Sequence, residues 1–159
     1  MILSACQCPQ RFVGFACLVL LYMAAGRTAA SELVFCENGD QRVSVLIRRG
    51  GKRTLADTIE GKQFNRFSDC TIDKRGFIYF TNPPYGLSEG AMKTKTRAIA
   101  WHGIYRNVAA GGGTLLSKEM IYPRGITLST DEKTFYVAQS VPQVAIWQVF
   151  PEEINKRVQ

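Results

Sequence analysis

Two short polar stretches hold the groups that could do chemistry. Arg66-Phe67-Ser68-Asp69 sets a guanidinium, a hydroxyl and a carboxylate within four residues, and Pro123-Arg124-Gly125 sets a second guanidinium beside a glycine. A carboxylate can support a metal or orient water. A hydroxyl can ligate weakly or hydrogen-bond. Arginine is a fixed cation with no lone pair to offer a metal. Other reactive patterns are missing. The chain has one histidine, His102, beside Trp101, so a Ser-His-Asp triad has only that residue to draw on, and Cys-x-x-Cys does not occur. Gly111-Gly112-Gly113 has no Gly-Lys-Ser/Thr after it, so it reads as a hairpin turn and not a phosphate loop. No Asn-x-Ser/Thr acceptor for glycosylation is present.

The elements that must position these groups are short strands. After Asp69, Cys70-Thr71-Ile72 and Phe77-Ile78-Tyr79-Phe80 are β-branched and aromatic, and Asp73-Lys74-Arg75-Gly76 between them has turn chemistry. The order recurs. Pro123 to Ser140 again gives a polar pair, a strand, an acidic and basic turn, and an aromatic strand. Upstream, Val43 to Ile47, the Gly50-Gly51 turn and Lys52 to Ala56 parallel Ile104 to Arg106, the triple-glycine turn and Thr114 to Leu116. Leu33 to Asn38 resembles the last strand of a further copy.

Four short strands repeating in this order describe the blade of a β-propeller, and apolar runs suit strands buried between blades. The expected fold is therefore all-β, a β-propeller of the six-bladed type that is incomplete, with about two blades and a remnant strand. The expected boundaries are a signal peptide over 1–30 and a partial propeller over 31–159. Within the latter lie a blade remnant over 31–41, a blade over 42–82, a connecting loop over 83–101 and a blade over 102–150. Open flanks predict self-association.

Phe12 to Gly26 is uncharged and mostly apolar, flanked by Arg11 and Arg27 and followed by Thr28-Ala29-Ala30. That is the layout of a cleaved export signal, too short for a stable membrane anchor, and it predicts a secreted or periplasmic protein. Cleavage there removes Arg11 and Arg27 and lowers the formal charge from +7 to +5. It leaves Cys36 and Cys70, either buried as small core residues or paired as a disulfide. The remaining basic residues are scattered or border turns, with no aromatic interleaving, so no nucleic-acid partner is expected.

The stretches EGKQFNRFSDCTIDKRGFIYFTNPPYGL, LLSKEMIYPRGITLSTDEKTFYVAQS and QVAIWQVF resemble the gluconolactonase / regucalcin-like (senescence marker protein) family of lactone hydrolases, over about Leu33 to Phe150. The resemblance implies a divalent-metal-dependent hydrolase of sugar lactones with one cation, usually calcium, as cofactor and a small-molecule lactone as substrate. Carried over residue by residue, it makes Asp69 the catalytic candidate and Arg66 and Ser68 the substrate-binding ones. Ser68 and Arg124 stand on positions where the family supplies asparagine to the metal, so no intact ligand set is expected. Asn82 and Gln139 stand where acidic residues are usual. The alternative is a non-catalytic propeller fragment acting as a binding or structural protein.

Overall fold

The computed structural model describes residues 22–27, 32–83, 99, 101–108, 111–141 and 144–151. Most of the expected connecting loop and of the apolar segment before residue 22 lies outside them. The described residues hold thirteen strands and no helix.

The strands group into three antiparallel sheets in chain order. The first contains β1 (Tyr22–Arg27), β2 (Leu33–Glu37), β3 (Arg42–Leu46) and β4 (Lys52–Ala56), paired in sequence. A two-stranded hairpin, β5 (Thr58–Ile59) and β6 (Lys62–Gln63), occupies the crossing to the second sheet. That sheet contains β7 (Cys70–Ile72), β8 (Ile78–Asn82), β9 (Gly103–Asn107) and β10 (Gly113–Ser117). The third contains β11 (Pro123–Leu128), β12 (Thr134–Val141) and β13 (Val144–Pro151). The first strands of the sheets lie together, β7 touching both β1 and β11.

Two differences from the sequence-based outline follow. The strands expected as one blade over 42–82 divide between two sheets: β3 and β4 stay with β1 and β2, while β7 and β8 join β9 and β10. A repeat of four strands gives the period and not the phase, and pairing partners decide where each sheet begins. The leading strand over 31–41 is also no isolated remnant, because β2 pairs on both sides. Its partner β1 falls within the segment read as an export signal, and cleavage after Ala30 would remove that strand from the sheet.

β8 shows why these strands read as continuous apolar runs. All five of its residues are buried. Ile78 and Phe80 pack toward the first sheet with Val34, Cys36, Val43 and Val45. Tyr79 faces the other way, joining Ile126, Phe135, Val137 and Phe150 of the third sheet. A strand with both faces covered has no polar alternation. Three sheets packed face to face in chain order, each led by an inner strand, are consecutive blades of a propeller that the described residues do not close.

The hairpin turns are built by the residues that announced them. Asp73 is buried, and its carboxylate accepts the amide of Phe77 at 2.9 Å, Arg75 Nε at 2.9 Å and the Tyr79 hydroxyl at 3.0 Å. Gly76 closes the same turn at φ 89°, where a side chain would be strained. The matching turn in the third sheet reaches across: the Glu132 carboxylate accepts the Lys74 amide at 3.0 and 3.2 Å.

Candidate functional site

The residues before β7 form the shelf on which the site rests. Phe64 and Phe67 are buried and meet Phe80 and Tyr105 in a cluster of rings, with centroids 4.8 to 5.6 Å apart. Such ring contacts fix side chains in shape as well as burying area. The polar residues between them are tied to the backbone. Asn65 Nδ2 donates to the Ile99 carbonyl at 3.1 Å, and the Asn65 carbonyl accepts from Gln41 Nε2 at 2.7 Å. Ser68 N donates to the Thr81 carbonyl at 3.2 Å, and Thr81 N returns a bond to the Asp69 carbonyl at 3.0 Å.

Asp69 is half-buried and joins two sheets. Its Oδ1 accepts the neighbouring Cys70 amide at 2.9 Å, and its Oδ2 accepts the Ile126 amide of β11 at 2.9 Å. Burial pushes its pKa above the usual carboxylate range, against the pull of those two amides. A second strut runs beside it, since the Thr81 hydroxyl donates to the Arg124 carbonyl at 2.6 Å. The backbone on both sides of Gly125 is therefore fastened to the second sheet. A Cβ on Gly125 would lie 3.8 Å from Asp69 Oδ2, so the carboxylate sits close beneath this glycine.

Between the two fastened segments opens a recess of about 330 Å³, lined by Ser68, Asp69, Arg124 and Gly125. That volume is at the small end of the range for small-molecule sites, about 300 to 1,000 Å³. The structure thus brings together three of the residues singled out in the sequence, Ser68, Asp69 and Arg124. Ser68 is buried, Arg124 exposed.

Arg66 is not among the lining residues. Its amide donates to Asn82 Oδ1 at 2.9 Å, and its guanidinium Nη1 donates to the Asn38 carbonyl at 2.5 Å, clasping the first sheet to the second. Asn82 and Gln139, which stand where acidic residues are usual, accept backbone amides. Asn82 takes that of Arg66, and Gln139 Oε1 takes that of Ile121 at 2.9 Å. His102 stacks on the Tyr122 ring with centroids 6.1 Å apart. Cys36 and Cys70 are buried free thiols. A hydrogen bond with Cys70 and burial hold the Cys36 pKa well above its ordinary value, which keeps the thiol protonated and unreactive. Thr81 was not picked out from sequence, because its role exists only once β8 is placed against β11.

The donor set can be tested against the cation that the resemblance implies. A hard divalent ion takes six or more oxygen ligands for calcium, or a tight octahedron for magnesium. Here the carboxylate has an amide on each oxygen, the serine offers one hydroxyl, and Arg124 offers positive charge where a lone pair is needed. Among the described residues no group of three or more His, Cys, Asp or Glu side chains comes together. These residues do not fit a calcium or magnesium ion.

Comparison with known proteins agrees with the fold. The chain is 33% identical over 89 residues to a gluconolactonase of Zymomonas mobilis, covering 56% of this chain and 25% of that protein. It is 31% identical over 93 residues to lactonohydrolase oryL of Aspergillus oryzae, covering 57% and 21%. Among solved structures it superposes on a gluconolactonase from Xanthomonas campestris with a TM-score of 0.70 and 28% identity, covering 80% of this chain and 43% of that one. The chain therefore spans about a quarter of its curated relatives' length and under half of the solved one. A family model, the SMP-30/gluconolactonase/LRE-like region, matches residues 10–157, and the chain belongs to that family.

Proposed function

We propose that this chain acts on sugar lactones, the cyclic esters of aldonic acids, and that its recess receives the ring carbonyl end of the substrate. The observation that carries this reading is the meeting of Ser68 and Asp69 with Arg124 and Gly125 in one opening between adjacent sheets. Family membership and the two curated lactone-hydrolysing relatives support it.

Hydrolysis adds water across the acyl carbon–oxygen bond. The hydroxyl goes to the carbonyl carbon, the ring oxygen takes a proton, and the acid formed loses a proton to solvent. The chain's own groups divide the work by what their bonds leave available. Asp69 has both oxygens on backbone amides, so it holds the recess in shape. Ser68 lines the recess, and its hydroxyl can donate to a substrate oxygen.

The test is acid release from glucono-δ-lactone followed in a pH-stat, against the spontaneous ring opening of the same solution without protein. A rate that rises in proportion to protein, and falls in Ser68→Ala, is expected. A rate equal to the spontaneous one at every protein concentration overturns the reading.

A further inference from the structure

We infer that the recess between β7 and β11 is an oxyanion subsite in which the Arg124 guanidinium, in place of a metal ion, receives the lactone carbonyl oxygen and the carboxylate of the hydroxy acid released. This rests on the lactone reading above and names the chemistry that the same recess recognises.

Four observations carry it. First, Arg124 lines the recess with Ser68, Asp69 and Gly125, and its side chain is the exposed member of the set. Second, its backbone is not free to drift. The Thr81 hydroxyl holds the Arg124 carbonyl, and Asp69 holds the Ile126 amide, so the backbone that leaves Arg124 is fastened on both sides of Gly125. Third, the one carboxylate in the lining is committed to amides on both oxygens, which leaves the guanidinium as the group with donors to offer a ligand. A guanidinium carries five N–H donors in a planar fork, so a contact within the protein leaves others for a bound oxygen. Fourth, the Ser68 hydroxyl supplies a second donor from the opposite sheet.

Charge decides between the two occupants. A divalent cation entering this recess meets a fixed positive charge and a single carboxylate, each oxygen of which already accepts one amide. A carbonyl oxygen gaining negative charge, or a finished carboxylate, meets charge-assisted donors of the right sign. Hydrogen bonds to a charged partner contribute enough that losing one weakens binding by about tenfold or more. Product binding is accordingly stronger than binding of a neutral sugar of the same size.

Calorimetric titration of the full chain with sodium gluconate, glucose and calcium chloride tests this, alongside Arg124→Asn and Arg124→Lys. The side chain is exposed and the tethering bonds use its backbone, so both variants are expected to keep the native melting curve. Gluconate should bind saturably and glucose at least about tenfold more weakly. Arg124→Asn should lose that preference, Arg124→Lys should keep part of it, and calcium chloride should give neither saturable heat nor a raised Tm. Gluconate binding that is unchanged in Arg124→Asn, or that requires calcium, overturns the inference. Binding that depends on Arg124 without any lactone hydrolysis counts against the reaction and leaves the subsite standing. Hydrolysis that survives Arg124→Asn unchanged does the reverse.

Discussion

Glu37 on β2 is 3% exposed, yet its carboxyl is held below the usual glutamate range. Burial alone would raise it. Ser44, whose hydroxyl donates to Oε1, opposes that, as do Asp40, Lys52 and Arg42, the two cations reaching Oε2 at 3.2 and 3.4 Å. The sum favours the charged form, so the stability it contributes is present above the pKa of the unfolded chain and is lost as pH falls through the lower folded value. Asp69 has the opposite sign, since its raised folded pKa means stability declines as pH rises through its own window. Comparing wild type with Glu37→Gln cancels the Asp69 contribution and isolates Glu37. The variant should be less stable by about 1 to 3 kcal/mol at neutral pH. The gap should close as the solution is acidified, measured by urea unfolding between about pH 3 and pH 7. A gap that stays constant with pH would show that packing, and not charge, sets the difference. Glu37 was not legible in the sequence, because its partners lie on the next two strands and the turn before them, which only sheet pairing brings together. Ser68, Asp69 and Arg124 were legible, because they occupy equivalent places at the start of repeated strand pairs.

Between the site and the core stands a close approach that depends on one missing side chain. A Cβ on Gly113, at the start of β10, would lie 2.6 Å from Phe64 Cζ and 3.2 Å from Phe80 Cζ. Those rings belong to the cluster beneath Ser68 and Asp69, so enlarging the glycine pushes on the shelf itself. Gly113→Ala should cost about 1 to 3 kcal/mol, the usual range for overpacking. Phe64→Leu in the same chain should return part of that loss, because it removes the colliding atom. Gly125→Ala is the control: its Cβ would make ordinary contacts at 3.6 Å to Ala138 and 3.8 Å to Asp69, so its midpoint in urea should move little. Equal destabilisation by both alanines would contradict the packing account. The strands flanking these glycines could be read from β-branched and aromatic runs, and the turns from Asp73 to Gly76 and from Gly111 to Gly113. How strands share out among sheets could not be read, since that depends on which edge β7 leaves open after the β5–β6 crossing.

Among the described residues the second sheet buries a face against each neighbour, and the third sheet shows an exposed outer face. Along β12 and β13, Phe135, Val137 and Phe150 point toward the second sheet and are buried. The alternate residues point away: Tyr136 is paired with Val149, and Ala138 with Trp147. On that outer face Trp147 is 68%, Val149 62% and Tyr136 40% exposed. A strand pair this apolar on its solvent side is a place where chains adhere, and among the described residues β13 is also the edge strand of its sheet. The first two sheets show what satisfies such a face, namely another sheet laid across it with interdigitating apolar side chains. The chain should therefore self-associate in a concentration-dependent way, its mass by light scattering rising above that of one copy as protein is added. Trp147→Glu combined with Val149→Glu places two charges on the outer face and none toward the core. The doubly substituted chain should keep its unfolding midpoint and shift toward the single-copy mass. If the mass is unchanged by these charges, contact runs through the open edge and not the face, and a proline placed in β13 would be the substitution that reduces it.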